Sequence, residues 1–209
     1  MSNEVKKEKV QMDPKYITEL TVKLFATCVV VAGLLGGVNA ITKDKIAAIN
    51  WEKTVKAMKA VVADPDVTTF SDALENTPEM EAACLAGGAT LQSVYEVQVN
   101  GAAAGYAIKV SASGSQGAIE MMVGVDGEGA VTGVAVVKHS ETSGIGTKVA
   151  DNEPNAAGVG MLSQFEGKSA ADGTLAVGVN VDAVSGATVS SRGVTGGVNA
   201  ALAVAGVLG

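Results

Sequence analysis

Aromatic residues are scarce in this chain: three Phe, three Tyr and one Trp make up 3% of its 209 residues. Any core must therefore rest on Val, Ala, Leu and Ile. Arginine occurs once, at Arg192, and histidine once, at His139. The formal net charge of −7 argues against a nucleic-acid binder, which needs a clustered basic face. The densest basic patch, Lys6, Lys7 and Lys9, is itself interrupted by Glu4 and Glu8. Two cysteines, Cys28 and Cys84, give no disulfide framework, and neither lies in a CxxC or beside a histidine cluster, so no metal site is expected. Both read as small buried hydrophobes. Against these shortages stand 26 glycines and 47% hydrophobic residues, enough for one sizeable core with many glycine-dependent turns.

From Leu24 to Ile41 the sequence LFATCVVVAGLLGGVNAI carries no charge and is bounded by Lys23 and Lys43. As a helix this run spans about 27 Å, close to the roughly 30 Å hydrocarbon core of a bilayer. A buried soluble helix and a cleaved signal peptide ending near Val38-Asn39-Ala40 are the alternatives. The long, acid-diluted stretch before the run favours an uncleaved anchor. Lysines 6, 7, 9, 15 and 23 precede it and lysines 43, 45, 53, 56 and 59 follow it, so positive charge does not set the orientation.

Beyond the anchor, Lys45 to Ala63 has apolar residues near helical spacing and reads as an amphipathic connecting helix, ended by Asp64-Pro65-Asp66. A second helix is expected over about Ser71 to Leu85, capped by Ser71 or Asp72. Trp51 could sit at a membrane interface or make a core contact. From Thr90 the pattern changes to strands: Leu91–Val99 and Gly105–Ser111 around Asn100-Gly101, then Ala118–Val125 and Val131–Lys138 around Asp126-Gly127-Glu128-Gly129. The alanines after Gly101 lengthen the first loop, and Gly114-Ser115-Gln116-Gly117 reads as a flexible connection without phosphate-loop character. Further on, Met161–Phe165 suggests a short helix closing at Gly167, Thr174–Val179 a strand, and Ser190–Val207 a final helix packed on the sheet. The class is α+β, a largely antiparallel sheet packed with helices and preceded by one N-terminal transmembrane helix. The divisions are residues 1–23 as a cytoplasmic segment, 24–41 as the membrane helix, 42–89 as a helical connecting region and 90–209 as a binding domain on which 42–89 packs.

The densest chemistry lies in Asp182-Ala183-Val184-Ser185-Gly186-Ala187-Thr188-Val189-Ser190-Ser191-Arg192, where four hydroxyls and the single arginine fall within eight residues. Gly186 and Ala187 allow close approach to the backbone, and hydroxyls at a helix start can cap its free N–H groups. The same helix end attracts phosphate. Alone, this is a serine-capped helix after a turn, with Asp182 as a turn aspartate. Similarly, Glu141-Thr142-Ser143-Gly144-Ile145-Gly146, just after His139, reads alone as a polar turn. His139 reads as a structural or surface residue.

SGAT followed by hydroxyls and a basic residue resembles the attachment site of the covalent-FMN-binding domain family. The resemblance implies FMN joined through its phosphate to Thr188, with Ser185, Gly186, Ala187, Ser190, Ser191, Arg192 and Asp182 around it. It also implies a separate flavin transferase that takes FMN from FAD. Glu141-Thr142-Ser143-Gly144-Ile145-Gly146 is similar to the family's second pattern, E-T-P-G-x-G, with Ser143 where proline is usual. That loop lies against the flavin in related proteins, so Glu141 and Thr142 would offer hydrogen bonds while Gly144 and Gly146 admit the ring. Anchor, loop and SGAT in this order resemble the G subunits of Rnf complexes. The resemblance implies an electron-transfer subunit of an ion-translocating ferredoxin:NAD oxidoreductase in the cytoplasmic membrane, partnered by the other membrane subunits. It also implies a large domain facing outward, and no catalytic side chain of its own. The C subunit of sodium-translocating NADH:quinone oxidoreductase shares both motifs, and an exported binding or structural module is the reading from another class.

Overall fold

The structure is a computed structural model that describes residues 14–155 and 158–209. The lysines at 6, 7 and 9 lie outside the described residues. The chain divides between Asn50 and Trp51 into two units.

Helix α1 runs unbroken from Pro14 to Ala60. The expected connecting helix at 45–63 is thus not a separate element. No glycine or proline stands between Ile41 and Lys45 to stop the ladder, so the anchor continues directly into it. In the first unit, α1 holds one stretch long and apolar enough to cross a membrane, none of it buried against the protein, so it is not a core helix. Its threonines turn inward on the helix: Thr27 Oγ1 donates to Leu24 O at 2.8 Å and Thr42 Oγ1 to Val38 O at 2.8 Å. Such internal satisfaction suits a segment with no water to bond.

In the second unit, five strands form one antiparallel meander in sequence order: β1 (Thr68–Phe70), β2 (Ala89–Val99), β3 (Ala102–Ser113), β4 (Ala118–Asp126) and β5 (Val131–Lys138). Asn100 and Gly101 have φ of 53° and 81°, so the β2–β3 connection is a two-residue turn of the type that right-twisted strands favour. The following alanines belong to β3, and a register shift beside Val97 and Gln98 absorbs the extra residue. At the β4–β5 turn, Asp126 Oδ1 accepts from Glu128 N and Ala130 N, each at 2.9 Å.

Both faces of the sheet are covered, which explains why β4 is buried along nearly its whole length. On one face lie the end of α1 and the residue after it, where Ala57, Met58 and Val61 pack with Tyr95, Ala107 and Met122. The cross-strand pair Gly124 and Gly133 makes room for it: a Cβ on Gly133 would sit 3.1 Å from Val61 Cα. Trp51 remains half exposed while its ring meets Tyr95 at 6.4 Å between centroids. On the other face, α4 (Thr188–Leu208) crosses β3 and β4, flanked by α2 (Pro78–Gly87).

Helix α2 starts later than the sequence suggests. Thr77 caps it, accepting from Met80 N at 3.3 Å, with Pro78 at the first position. Ser71 is instead tied to the sheet edge, its N–H donating to Glu96 O and its Oγ accepting from Glu96 N. Of the region at 42–89, Thr68–Phe70 is strand rather than helix. Met161–Phe165 contributes only a 3-10 turn, Ser163–Phe165, with Gly167 at φ 74° after it. The strand expected over Thr174–Val179 does not form. Its backbone is held by the Asn199 and Asn180 side chains, and Gly178 at φ 86° turns the chain.

Candidate functional site

The segment leading into α4 is fixed before the helix begins. Gln164 clamps Asp182 from both sides, accepting from its N–H at 2.7 Å and donating to its carbonyl at 3.1 Å. Ala187 N then donates to Val184 O at 2.9 Å, a turn that needs Gly186 at φ 81°. Helix α4 starts at Thr188 with no side chain capping it. Ser190 and Ser191 therefore do not start the helix as the sequence pattern suggests. Both are buried inside its first turn. Ser191 Oγ accepts from Val184 N at 3.1 Å and donates to Ala187 O at 3.0 Å, stitching the turn to the helix from within. The consequence falls on Thr188, exposed at the first helical position beside an uncapped helix end. Arg192, also exposed, follows four residues later and so lies on the same side of the helix.

The loop after β5 is equally tight. Thr142 O accepts from the N–H groups of Ile145, Gly146 and Thr147 at 3.3, 2.9 and 3.3 Å, and leads into α3 (Thr147–Ala150). Gly144, at φ 76°, donates to Thr147 Oγ1 at 2.9 Å, so the turn closes without the proline that Ser143 replaces. His139 Nδ1 accepts from Glu141 N at 3.3 Å, a turn-forming contact.

Glu141 joins these parts. Its side chain is buried at 7% exposure. One oxygen, Oε1, accepts from Ser115 N at 2.8 Å and Gln116 N at 3.2 Å, while Oε2 accepts from the Ser190 hydroxyl. The Gly114–Gly117 connection is thereby pinned, and Gly114 N also donates to Gly117 O at 2.7 Å. Gly146 has a local reason to be glycine, since a Cβ there would lie 2.7 Å from Glu141 Cβ and Oε2.

Three segments distant in sequence thus line one pocket of about 180 Å³, with Ser115 from the first, Glu141, Thr142, Ile145 and Gly146 from the second, and Gly186 to Ser190 from the third. Among the residues expected from sequence, this pocket gathers Glu141, Thr142, Gly146, Gly186, Ala187, Thr188 and Ser190. Asp182 and Ser185 instead line a neighbouring pocket of about 440 Å³ with Lys148, Glu153 and Asn155. Gly144, Ser191 and Arg192 line neither. Nothing in the sequence pattern singles out Gln164 or Lys148. For Ser115 the one available signal is a hydroxyl between two closely spaced glycines.

A phosphorylated ligand suits these residues. Thr188 offers an exposed hydroxyl, the uncapped start of α4 offers N–H groups to an anion, and the Arg192 guanidinium stands one turn on. At about 180 Å³ the pocket lies below the usual size of a site that encloses a whole ligand.

Residues 114–203 match the FMN-binding domain family, a span that begins at the Gly114 turn, ends in α4 and contains every residue lining the smaller pocket. The chain is 32% identical to the G subunit of the Na(+)-translocating ferredoxin:NAD(+) oxidoreductase complex of Acetobacterium woodii, over 95% of this chain and 96% of that protein. It is 28% identical to the G subunit of the ion-translocating oxidoreductase complex of Methanosarcina acetivorans, over 91% and 95% of the two chains. It is also 32% identical to the corresponding G subunit of Pseudomonas aeruginosa, over 88% and 85%. Similarity running from the anchor through the pocket, at near-equal lengths, means that this chain belongs to the family of G subunits of ion-translocating oxidoreductase complexes.

Proposed function

We propose that this protein is the membrane-anchored flavin subunit of an ion-translocating ferredoxin:NAD oxidoreductase complex, carrying FMN as a phosphoester on Thr188. The observation that carries the reading is the meeting of the loop at 141–146 with the start of α4 in one pocket, with Thr188 exposed at its edge. These two motifs, about forty residues apart in the chain, are brought to one polar recess by the Glu141–Ser190 hydrogen bond. The relatives reported above are G subunits, which favours this complex over the quinone reductase.

In the attachment step, the Thr188 hydroxyl oxygen bonds to the FMN-side phosphorus of FAD as the bond from that phosphorus to the bridging oxygen breaks. AMP leaves, and the hydroxyl proton passes to a base of the transferase. In this reading Asp182, whose backbone Gln164 holds in the segment before Thr188, assists that transfer. The helix end and Arg192 then balance the phosphodiester charge. When bound, FMN supplies reversible electron transfer, and the protein supplies position and electrostatics. A covalent tether suits a relay, because exchange of the cofactor would interrupt it. The large domain faces the outer side of the membrane in this reading, and the partners are the complex's other membrane subunits.

The test is in-gel fluorescence. Protein made together with a flavin transferase should fluoresce as a flavin band after denaturing electrophoresis, and Thr188→Ala should abolish the band. A dark wild-type band overturns the covalent reading. A fluorescent Thr188→Ala moves the attachment elsewhere.

A further inference from the structure

Glu141 has a feature that hydrogen bonding alone does not explain. It is the only ionisable residue lining the smaller pocket, it is buried, and no ion pair involves it among the described residues. Its oxygens are satisfied by two backbone N–H groups and one hydroxyl, all uncharged. A neutral side chain of the same shape would meet the same needs: a glutamine carbonyl accepts from Ser115 N and Gln116 N, and its NH2 donates to Ser190 Oγ. Burying a carboxylate without a cation is costly. The scaffold has nonetheless been shaped around it, with glycine at 114 and 146 where any Cβ would collide with the Glu141 side chain. What distinguishes the carboxylate from the amide is its charge.

We infer that Glu141 is a positioning and tuning residue: its carboxyl group, held in the wall of the pocket that Thr188 also lines, lowers the reduction potential of the flavin attached there. The inference rests on flavin attachment at Thr188, which keeps the cofactor within one ribityl chain of the pocket Glu141 lines. Reduction of a flavin by two electrons with uptake of one proton adds one negative charge to it. A buried, uncompensated carboxylate opposes that charge more strongly than a solvated one, because little water screens the interaction. A low potential is what a carrier needs if it is to hand electrons onward rather than keep them. The hydrogen bonds of Glu141 have a second effect: by gripping both the Ser115 turn and Ser190, they fix the carboxyl group relative to the start of α4.

The experiment is a spectroscopic redox titration of the detergent-solubilised, flavin-loaded full chain, using dithionite as reductant with mediator dyes. Glu141→Gln should shift the midpoint to more positive values at unchanged flavin content. Glu166→Gln, which removes the same charge from an exposed position, should leave the midpoint near wild type. Equal midpoints for wild type and Glu141→Gln, both flavin-loaded, overturn the proposal while leaving attachment at Thr188 intact. An equal shift from Glu166→Gln overturns it too, by showing a general charge effect. A wild-type chain without bound flavin fails the underlying reading instead. Should Glu141→Gln not load, Ile145→Lys sets a cation at the half-exposed rim of the same pocket with the Glu141 hydrogen bonds untouched. A positive shift there supports the electrostatic control, and its absence overturns it.

Discussion

Two helices of nearly the same composition have opposite fates in this chain. The apolar stretch of α1 and the whole of α4 are both built from Val, Ala, Leu and Gly with almost no charge. One is wholly exposed to its surroundings, whereas eleven residues of the other are buried. Glycine and the polar residues, rather than hydrophobicity, separate them. In α4, Gly193 and Gly197 face the sheet, where added Cβ atoms would meet the Ser113 carbonyl and the Met121 side chain. In α1, Gly33, Gly36 and Gly37 have nothing within 4 Å. Three polar residues of α4 likewise find partners in the rest of the domain: Ser190 in Glu141, Ser191 in Val184 and Asn199 in Leu175. In α1, Thr27 and Thr42 bond back to the carbonyls of their own helix. A small-residue helix is therefore assigned by where its polar atoms find partners.

The comparison breaks most sharply on charge. An arginine in place of Leu34 should disfavour membrane insertion by about 3 kcal/mol, read as loss of the chain from carbonate-washed membranes, while the thermal unfolding of the second unit stays unchanged. Next comes backbone approach. Gly193→Val drives a branched side chain into the Ser113 carbonyl and should destabilise the domain by about 1–3 kcal/mol, seen as a lower Tm by circular dichroism in detergent. Gly36→Val, where no neighbour waits, should leave that Tm alone. If Gly36→Val lowered it instead, the two helices would not be separable in this way.

The two asparagines give a comparison of sign. Asn199 holds the Leu175 backbone through a donated bond of 2.8 Å and an accepted one of 3.0 Å. Asn199→Leu leaves both Leu175 groups unpaired and should destabilise the domain by about 1–3 kcal/mol. Asn39→Leu only makes the anchor more apolar, so it should strengthen membrane retention without moving the domain Tm.

How far these distinctions are legible in the sequence depends on the range of the interactions. Strands β2 to β5 are legible because alternation and the Asn100-Gly101 and Asp126–Gly129 turns are local signals. The class and the anchor follow from the same kind of pattern. The start of α2 does not, because Ser71 and Thr77 are equally good caps until a sheet edge claims Ser71. The strand expected at Thr174–Val179 fails for a similar reason: Asn199, twenty-four residues away, supplies the partner that a neighbouring strand would have supplied. At the candidate site, the residue types at 141–146 and 182–192 are the local signals the sequence offers. The inward turn of Ser190 and Ser191, which leaves Thr188 at the helix start, depends on Glu141 and Val184 and so appears only in three dimensions.

The smallest effect concerns the cysteines, which read alike in the sequence as buried hydrophobes. Cys28 is exposed on α1, and Cys84 is fully buried on α2, where burial pushes its thiol up to about 11 from 9.0. A raised folded value means that the protonated thiol is the form the fold favours. Its contribution to stability is complete below pH 9 and is lost as pH rises towards 11. At pH 8 only about one Cys84 in a thousand is thiolate, and even that fraction is shielded from reagent. Iodoacetamide should therefore leave Cys84 unmodified in the folded chain and label it fully in urea, as mass spectrometry of its peptide would record. Labelling of Cys84 at pH 8 without unfolding would show that α2 opens away from α4 on its own, and the contrast between the exposed and the packed helix would then have to be drawn at α2 as well.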